Sequence, residues 1–252
     1  MSVTIVTGAS KGIGKSIVEI LLSNPNAKVI AVARSELDLQ KIQDQHGSER
    51  VAYIAGDVSE ESIAAEAVKL AVSKFGGVNA IIANAGVLAP VAPIDKVSVD
   101  DWKRLFDINY YAVIHLVQHS LEQLKKSSGK VVVVSSGASV KSYSGWYAYG
   151  GSKAALNHLV LSLAEQEKGI SAISIAPGVV DTPMQQDIRE KHGGSMSAEG
   201  HKRFLDLHKN KELVKPEVPA TVLANLALRG WDSSINGKYL RYNDEQLKEY
   251  TQ

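Results

Sequence analysis

Three side chains that can move a proton lie close together in the sequence. Tyr149 and Lys153 are four residues apart, and Ser136 lies thirteen residues before the tyrosine. Residues four apart on a helix share one face, so the phenol and the ammonium would be neighbours. A phenol has a pKa of about 10, which a nearby ammonium is expected to lower. With Ser136 placed to hydrogen-bond the same oxygen, the set predicts proton transfer to a carbonyl oxygen.

A glycine-rich segment near the start of the chain predicts a phosphate-binding turn. Gly8, Gly12 and Gly14 follow the apolar run Val3–Thr7 and open a segment with helical spacing. Glycine lets the backbone approach a pyrophosphate, and a helix start offers free N–H groups. A plain tight turn is the alternative, but the position after the first strand favours a dinucleotide. The other residues assigned to this turn are Ser10, Lys11 and Ile13.

The residues at the end of the second predicted strand indicate which dinucleotide the protein prefers. An acidic residue there would accept hydrogen bonds from a free ribose 2′-hydroxyl. The chain instead has Ala33, Arg34 and Ser35, with no acid before the arginine. Arg34 and Lys11 are cations that can bind a 2′-phosphate, the alternative being two solvated surface charges. We therefore expect NADPH rather than NADH, with Ser35 beside the phosphate.

The elements that position these residues alternate between short apolar runs and longer helical segments. The runs lack polar alternation, as expected when helices cover both faces of a parallel sheet. The sequence therefore predicts an α/β, Rossmann-like, doubly wound parallel sheet of about seven strands, in a single domain over residues 1–252. The predicted strands are Val3–Thr7, Lys28–Ala33, Val51–Ala55, Val78–Ala83, Lys130–Ser135, Ile170–Ala176 and Lys238–Tyr242.

Helices are predicted between these strands, and one long segment has no clear periodicity. The predicted helices are Gly12–Ser23, Glu36–His46, Glu60–Phe75, Val99–Lys126, Trp146–Lys168 and Pro216–Arg229. Residues 181–215 are polar and too many for a simple connection. We predict that they form a partly helical flap that closes over cofactor and substrate.

The composition argues against several classes of binding partner. The net charge of +1 gives no broad basic field for nucleic acid or anionic lipid. No apolar stretch approaches the ~20 residues that span a bilayer, and the N-terminus lacks the features of a secretory signal. The chain has no cysteine, and no carboxylate adjoins the histidine pair His115 and His119, so no metal site is predicted. A cytoplasmic location fits these features.

In these motifs the chain resembles the short-chain dehydrogenase/reductase family over nearly its full length. The resemblance makes Ser136, Tyr149 and Lys153 catalytic, the last two also contacting the cofactor. It adds Asn109 as a catalytic residue that holds a water linking the lysine to solvent. Further cofactor contacts are implied at Asp57, Val58, Asn84, Ala85, Gly86, Pro177, Gly178, Val180 and Thr182. It also implies a homodimer or homotetramer joined through Val99–Lys126 and Trp146–Lys168.

Within that family the chain is similar to the sepiapterin reductase and benzil reductase branch. The residues that carry this similarity are Gly145-Trp146-Tyr147-Ala148-Tyr149, the segment 176–186 and Leu213-Val214. Sepiapterin reductases use NADPH and anchor the pterin amino group with an aspartate near the C-terminus. That position aligns near Leu240 here. The missing charge favours a hydrophobic ketone or vicinal diketone such as benzil, with sepiapterin-type reduction as the alternative.

The predicted substrate wall is apolar and aromatic, as suits a small carbonyl ligand. Its members are Leu88, Tyr143, Trp146, Val179, Met184 and Met196. Core packing is the alternative reading for most of them. Trp146 is the strongest candidate because it lies three residues before Tyr149.

An NADPH-dependent carbonyl reductase is thus the leading hypothesis, and there are two alternatives. Gly150-Gly151-Ser152-Lys153-Ala154 faintly resembles the nucleophile elbow of a hydrolase, but alanine replaces the last glycine and no strand precedes it. A non-catalytic NADPH-binding interaction protein could also keep this fold. The presence of all four catalytic positions argues against that hypothesis.

Overall fold

Seven parallel strands form the sheet of the computed structural model, which describes residues 2–252. The strands are β1 (Ser2–Thr7), β2 (Ala27–Ala33), β3 (Val51–Ala55), β4 (Ala80–Ala83), β5 (Lys130–Val134), β6 (Ser171–Ala176) and β7 (Tyr239–Arg241). Their order across the sheet is β3-β2-β1-β4-β5-β6-β7. The direction of winding reverses between β1 and β4. In doubly wound sheets, ligands bind beyond the carboxyl ends of the strands at this switch point.

Helices cover both faces of the sheet, which confirms the predicted doubly wound α/β fold. They are α1 (Gly12–Ser23), α2 (Glu36–His46), α3 (Glu61–Phe75), α4 (Val99–Phe106), α5 (Ala112–Ser127), α6 (Tyr147–Gln166), α7 (Pro183–Glu190), α8 (Ala198–Lys209) and α9 (Glu217–Arg229). One core joins the sheet to α1, α2 and α9, and the other joins it to α3, α5 and α6. Within residues 2–252, no helix is both long and apolar enough to cross a bilayer.

Strand β5 shows why the apolar runs lack polar alternation. Val131 and Val133 are buried in the core beneath α3, α5 and α6. Val132 and Val134 are buried in the core on the opposite face. Successive strand side chains point to opposite faces, so a strand covered on both sides must be apolar at every position.

A third apolar cluster lies outside the two main cores and includes Leu88, Trp146, Tyr149 and Phe204. We call it the site cluster. It brings the loop after β4 and the start of α6 together with the flap helices α7 and α8. The flap is partly helical, as predicted, and its two ends are joined by a parallel bridge between Val180 and Val214. There the Asp181 N–H donates to the Val214 carbonyl at 2.8 Å.

The boundaries of some elements differ from those expected. The helix predicted over Val99–Lys126 is two helices, α4 and α5, joined by a π-helical turn at Asp107–Tyr111. A π-helical turn adds a residue without ending the helix. The apolar residues therefore keep a helix-like spacing across it, and the sequence does not show where α4 ends. The other observed boundaries differ from the predicted ones by about one or two residues. Within that range, the assignment of an element's last residue depends on single hydrogen bonds.

Candidate active site

The glycine turn connects the carboxyl end of β1 to the start of α1. Gly8 has φ +68°, in the left-handed region that favours glycine. A Cβ on Gly14 would lie 2.1 Å from the Gly8 carbonyl oxygen, so any side chain there would push helix and turn apart. The turn therefore needs glycine for its own close packing.

The start of α1 is chemically suited to an anion. Its first turn, Gly12–Lys15, holds no acidic residue, and Lys11 is exposed beside it. Among residues 2–252, no side chain caps the N–H groups of this turn. Free N–H groups and the positive end of the helix dipole attract phosphate. These residues fit the pyrophosphate of a dinucleotide.

The predicted adenosine contacts lie at the neighbouring ends of β2 and β3. Arg34 is exposed, and the Ser35 hydroxyl donates to Asp38 at 2.7 Å. Asp57 accepts hydrogen bonds from the Ser59 N–H and hydroxyl, at 3.1 and 2.8 Å. The Ser59 N–H bond, more than the charge of Arg34, lowers the pKa of Asp57. Val58 packs onto the core beside it.

The loop after β4 is tied to the glycine turn across the switch point. The Thr7 hydroxyl accepts hydrogen bonds from the N–H groups of Asn84 and Ala85, at 3.1 and 3.0 Å. The Asn84 amide donates back to the Thr7 carbonyl at 2.9 Å. A Cβ on Gly86 would lie 3.5 Å from Lys153 Nζ, so this loop runs directly past the catalytic candidates.

Tyr149 and Lys153 lie on the first turns of α6, and both are buried, at 8% and 3% exposure. Lys153 Nζ donates to the Val134 carbonyl at 2.8 Å and lies 5.8 Å from the centre of the Tyr149 ring. Burial lowers the pKa of Lys153 to about 8. The ammonium is therefore charged at neutral pH but close to losing its proton.

The expected lowering of the Tyr149 pKa was wrong for this structure. Burial in the site cluster raises the pKa of Tyr149, and the neighbouring Ser136 hydroxyl offsets only part of this rise. The removal of solvent outweighs the attraction that the helical spacing suggested. The phenol is protonated at neutral pH, which is the form that can donate a proton.

Ser136 follows β5, which ends at Val134 rather than at Ser135 as predicted. The serine begins a 3-10 turn over Gly137–Ser139, and its hydroxyl oxygen accepts the Ala138 N–H at 3.1 Å. This bond uses an acceptor position of the hydroxyl and leaves its proton available. Ser136 is thus placed beside Tyr149 with a group that can donate to an oxygen.

Asn109 lies in the π-helical turn and is fully buried. Its amide donates to the Val87 carbonyl at 2.9 Å and to the Ser152 hydroxyl at 3.2 Å, and accepts the Val87 N–H at 2.8 Å. The amide oxygen and one N–H therefore fasten the loop after β4, and the other N–H bonds to α6. The side chain positions the loop, and its part in a water relay stays a prediction.

All six predicted substrate residues lie in the site cluster or against it. The Trp146 ring stacks on Tyr143 at 4.9 Å and meets Tyr149 edge-on at 5.6 Å. Sequence reasoning missed Phe204 of α8, which stacks on Trp146 at 5.7 Å. A signal existed, since Phe204 is the one phenylalanine in the polar segment 181–215.

The segment after β6 completes the row of predicted cofactor residues. Pro177 and Gly178 follow the strand, and Thr182 caps α7 by accepting the Gln185 N–H at 3.4 Å. A Cβ on Gly12 would lie 3.3 Å from the Thr182 methyl, so the start of the flap faces the glycine turn. The predicted residues of these segments therefore follow the carboxyl ends of neighbouring strands.

The structure corrects the interpretation of one residue and excludes one alternative that the sequence already disfavoured. Leu240 lies in the core that contains α9, so it is not the site residue of β7. The preceding Tyr239, missed from the sequence, points the other way and donates its hydroxyl to the Ser136 carbonyl at 3.2 Å. Ser152 is buried inside α6 and donates to the Tyr149 carbonyl at 2.8 Å, so no nucleophile elbow exists there.

Comparison with known proteins agrees with this geometry. Residues 2–193 match the family model described as short chain dehydrogenase. A benzil reductase ((S)-benzoin forming) of Saccharomyces cerevisiae is 44% identical over 255 residues, which cover 97% of each chain. The crystal structure of a short chain dehydrogenase/reductase from the same yeast is 46% identical, covers 100% of both chains and superposes with a TM-score of 0.98.

A second crystal structure from that yeast, of a cytoplasmic protein with unknown function, is 46% identical over 100% of both chains, with a TM-score of 0.86. These likenesses span the whole chain, and the family model spans most of it. The resemblance predicted from the motifs is confirmed. The chain belongs to the short-chain dehydrogenase/reductase family of oxidoreductases.

Proposed function

We propose that the protein is an NADPH-dependent carbonyl reductase whose preferred substrates are hydrophobic vicinal diketones such as benzil. One observation carries this proposal: Tyr149 belongs to the apolar site cluster, and its ring centre lies 5.8 Å from Lys153 Nζ, which is beside the Gly86 loop. A proton donor is thereby placed where an apolar carbonyl compound and a dinucleotide would meet. The 44% identity to a benzil reductase supports the substrate class.

The residues of the chain account for the proton and the charges of a carbonyl reduction. A nicotinamide dinucleotide held by the glycine turn and the loop after β4 would supply the hydride for the carbonyl carbon. Tyr149 gives its proton to the oxygen, so the product is a neutral alcohol and the residue becomes a phenolate. Ser136 donates a hydrogen bond to the same oxygen as negative charge develops there. The Lys153 ammonium stabilises the phenolate, and Asn109 supports its reprotonation from solvent.

The proposal is tested by NADPH consumption with a panel of carbonyl compounds, with NADH in parallel. The panel contains benzil, aliphatic vicinal diketones, simple aldehydes and sepiapterin. We expect the highest kcat/KM with hydrophobic diketones and NADPH. Preference for sepiapterin would favour the pterin reductase alternative. Tight NADPH binding without turnover of any carbonyl would favour a non-catalytic interaction protein.

Arg34 is expected to select NADPH. Its exposed guanidinium stands next to Ser35 at the end of β2, where the adenosine ribose of a dinucleotide lies in this fold. Arg34→Asp replaces an attraction for the 2′-phosphate with a repulsion. A charged hydrogen bond is worth about 1.5 to 3 kcal/mol, so the ratio of kcat/KM for NADPH over NADH should fall by about 10- to 150-fold.

Lys69→Asp on α3 provides the matched control, because Lys69 is exposed and the substitution makes the same change in charge. We expect that variant to keep the wild-type cofactor ratio. An unchanged ratio in Arg34→Asp would remove this arginine from the phosphate site.

Trp146 favours a substrate with two neighbouring carbonyl groups. The residue is 7% exposed, and its indole N–H is buried without a hydrogen-bond partner among residues 2–252. An unmade buried hydrogen bond costs free energy, and a ligand acceptor would recover it. We propose that the indole N–H donates a hydrogen bond to the second oxygen of a vicinal diketone, while Tyr149 donates its proton to the first oxygen. A simple ketone has no second oxygen to offer.

Trp146→Phe tests this role because it keeps an aromatic ring against Phe204 and removes the N–H. With benzil, we expect kcat/KM to fall by about 2- to 12-fold, the value of one hydrogen bond. With deoxybenzoin, which lacks one of the two oxygens, the same substitution should have a smaller effect. Equal losses on both substrates would show that the ring matters and the N–H does not.

We also propose that the protein is a homodimer or homotetramer in the cytoplasm. Large apolar side chains are exposed on or next to the helices that the family resemblance places at the interface: Val99, Tyr111, Tyr147 and Leu161. The relative described as a cytoplasmic protein supports the location. The molar mass from light scattering at micromolar concentration tests the assembly, and a monomer there would contradict it.

A further inference from the structure

We infer that Asn157 is a positioning residue that holds Ser136 in its reactive place, an inference that rests on the proposed reductase function. Asn157 lies on α6, one turn beyond Lys153. It does not belong to the site cluster and is only partly buried. Its importance comes from the hydrogen bonds that its amide makes to the loop after β5.

The Asn157 amide bridges two serines of that loop. Its oxygen accepts the Ser135 hydroxyl at 2.7 Å, and its nitrogen donates to the Ser139 hydroxyl at 2.9 Å. The Ser139 hydroxyl in turn donates to the Ser136 carbonyl at 2.6 Å. An unbroken series of hydrogen bonds therefore runs from α6 to the backbone of Ser136.

The Ser136 carbonyl is held from a second side as well. The Tyr239 hydroxyl of β7 donates to it at 3.2 Å. The same oxygen also accepts the Ser139 N–H at 3.0 Å within the 3-10 turn, so three donors converge on it. The peptide that follows Ser136 is thereby fixed between α6 and β7, and the direction of its side chain follows from that of its backbone.

This arrangement couples the catalytic candidates to one rigid element. Tyr149 and Lys153 belong to α6, whereas Ser136 lies on a loop with a single 3-10 turn. Through Asn157, the loop takes its position from the same helix that carries the proton donor. Misplacement by 1 Å can cost about 10²-fold in rate, so even a partial loosening of this loop should be measurable.

The test compares Asn157→Leu, which removes both amide bonds, with Ser139→Ala, which removes the bonds of the Ser139 hydroxyl to Asn157 and Ser136 and keeps the bond between Asn157 and Ser135. Each should lower kcat for benzil by about tenfold and leave the Kd for NADPH unchanged. The double variant should be no worse than the more damaged single variant, because both substitutions break one series of bonds. Hydrogen exchange at residues 136–139 should accelerate in all three, a readout that does not require turnover.

Asn79→Ala is the matched control. Asn79 also bonds to another chain segment through its amide, accepting the Val3 N–H at 2.8 Å, but it lies at the amino ends of β1 and β4. We expect it to lower Tm without changing kcat or exchange at residues 136–139. Should Asn157→Leu fail to fold, Ser139→Ala, which loses a single oxygen atom, still decides the question.

Wild-type kcat and exchange rates in Ser139→Ala would overturn the role of Asn157. Benzil turnover by the wild-type protein separates this failure from failure of the proposed function. Were the wild type inactive on every carbonyl, the exchange measurement alone would decide whether Asn157 orders the Ser136 loop.

Discussion

Replacing Tyr149 with phenylalanine is expected to lower kcat for benzil by about 10²- to 10⁴-fold, the usual contribution of a general acid. The substitution removes one oxygen and keeps the ring, whose edge-on contact with Trp146 belongs to the site cluster. The glycine turn and Arg34 are untouched. The Kd for NADPH, measured from its fluorescence, should therefore stay within about threefold of wild type, at the low end of what one hydrogen bond contributes.

Tyr250→Phe controls for loss of a buried tyrosine hydroxyl. Tyr250 is 4% exposed and packs against α9, away from the site cluster. This variant should keep wild-type kcat. Substantial benzil turnover by Tyr149→Phe would remove Tyr149 from the role of proton donor and leave Ser136 as the next candidate.

Replacing Lys153 with methionine should abolish activity and yet stabilise the protein. Loss of the charge beside the phenolate should lower kcat by at least about 10²-fold. In the folded protein, burial holds the pKa of Lys153 at about 8, below its ordinary value of 10.5. At neutral pH this corresponds to a penalty of roughly 3 kcal/mol for keeping the charged form buried. The charged bond to Val134, worth about 1.5 to 3 kcal/mol, offsets much of the gain, leaving a net stabilisation of at most roughly 1.5 kcal/mol.

The difference in stability should depend on pH in a defined window. Below pH 8 the lysine is protonated in both the folded and the unfolded chain, so the full penalty applies. Between pH 8 and 10.5 the unfolded chain binds more protons, so wild-type stability rises with pH. The free energies of unfolding of the two proteins, measured in urea without cofactor, should converge over this range.

Lys130→Met is the control for this second prediction. Burial also lowers the pKa of Lys130, which begins β5 at the opposite end of the strand from the site. It is only partly buried, so its replacement should stabilise the protein less and leave kcat unchanged. A less stable Lys153→Met protein at pH 7 would show that the Val134 bond outweighs the buried charge.

The fold could be predicted because its signals are local. Val131–Val134 shows from composition alone that both faces of β5 are covered, and the glycine turn identifies the first crossover. The spacing of Tyr149 and Lys153 places them on one helix face wherever that helix lies. Local sequence patterns of this kind do not depend on how the rest of the chain is arranged.

Features that depend on distant contacts could not be predicted. Tyr239 reaches Ser136 across 103 positions of sequence. The alignment that pointed to Leu240 rather than Tyr239 could not resolve strand register, in which a shift of one residue reverses the face. The direction of the Tyr149 pKa shift was missed for a related reason. The spacing of Tyr149 and Lys153 predicts a neighbouring charge, but it does not indicate how far the phenol is buried from solvent.

The bridge between Val180 and Val214 has a consequence for how this enzyme family can diversify. It holds the two ends of the flap next to each other, so residues 181–213 form a closed insertion, an excursion from the sheet whose ends are adjacent. The entropy of closing such a loop grows only slowly with length, by about 0.6 kcal/mol for each doubling. Helices can therefore be lengthened, shortened or exchanged in the excursion at little cost to the sheet. If the flap covers the substrate as proposed, new substrate ranges would evolve by replacing this one insert while α6 stays constant.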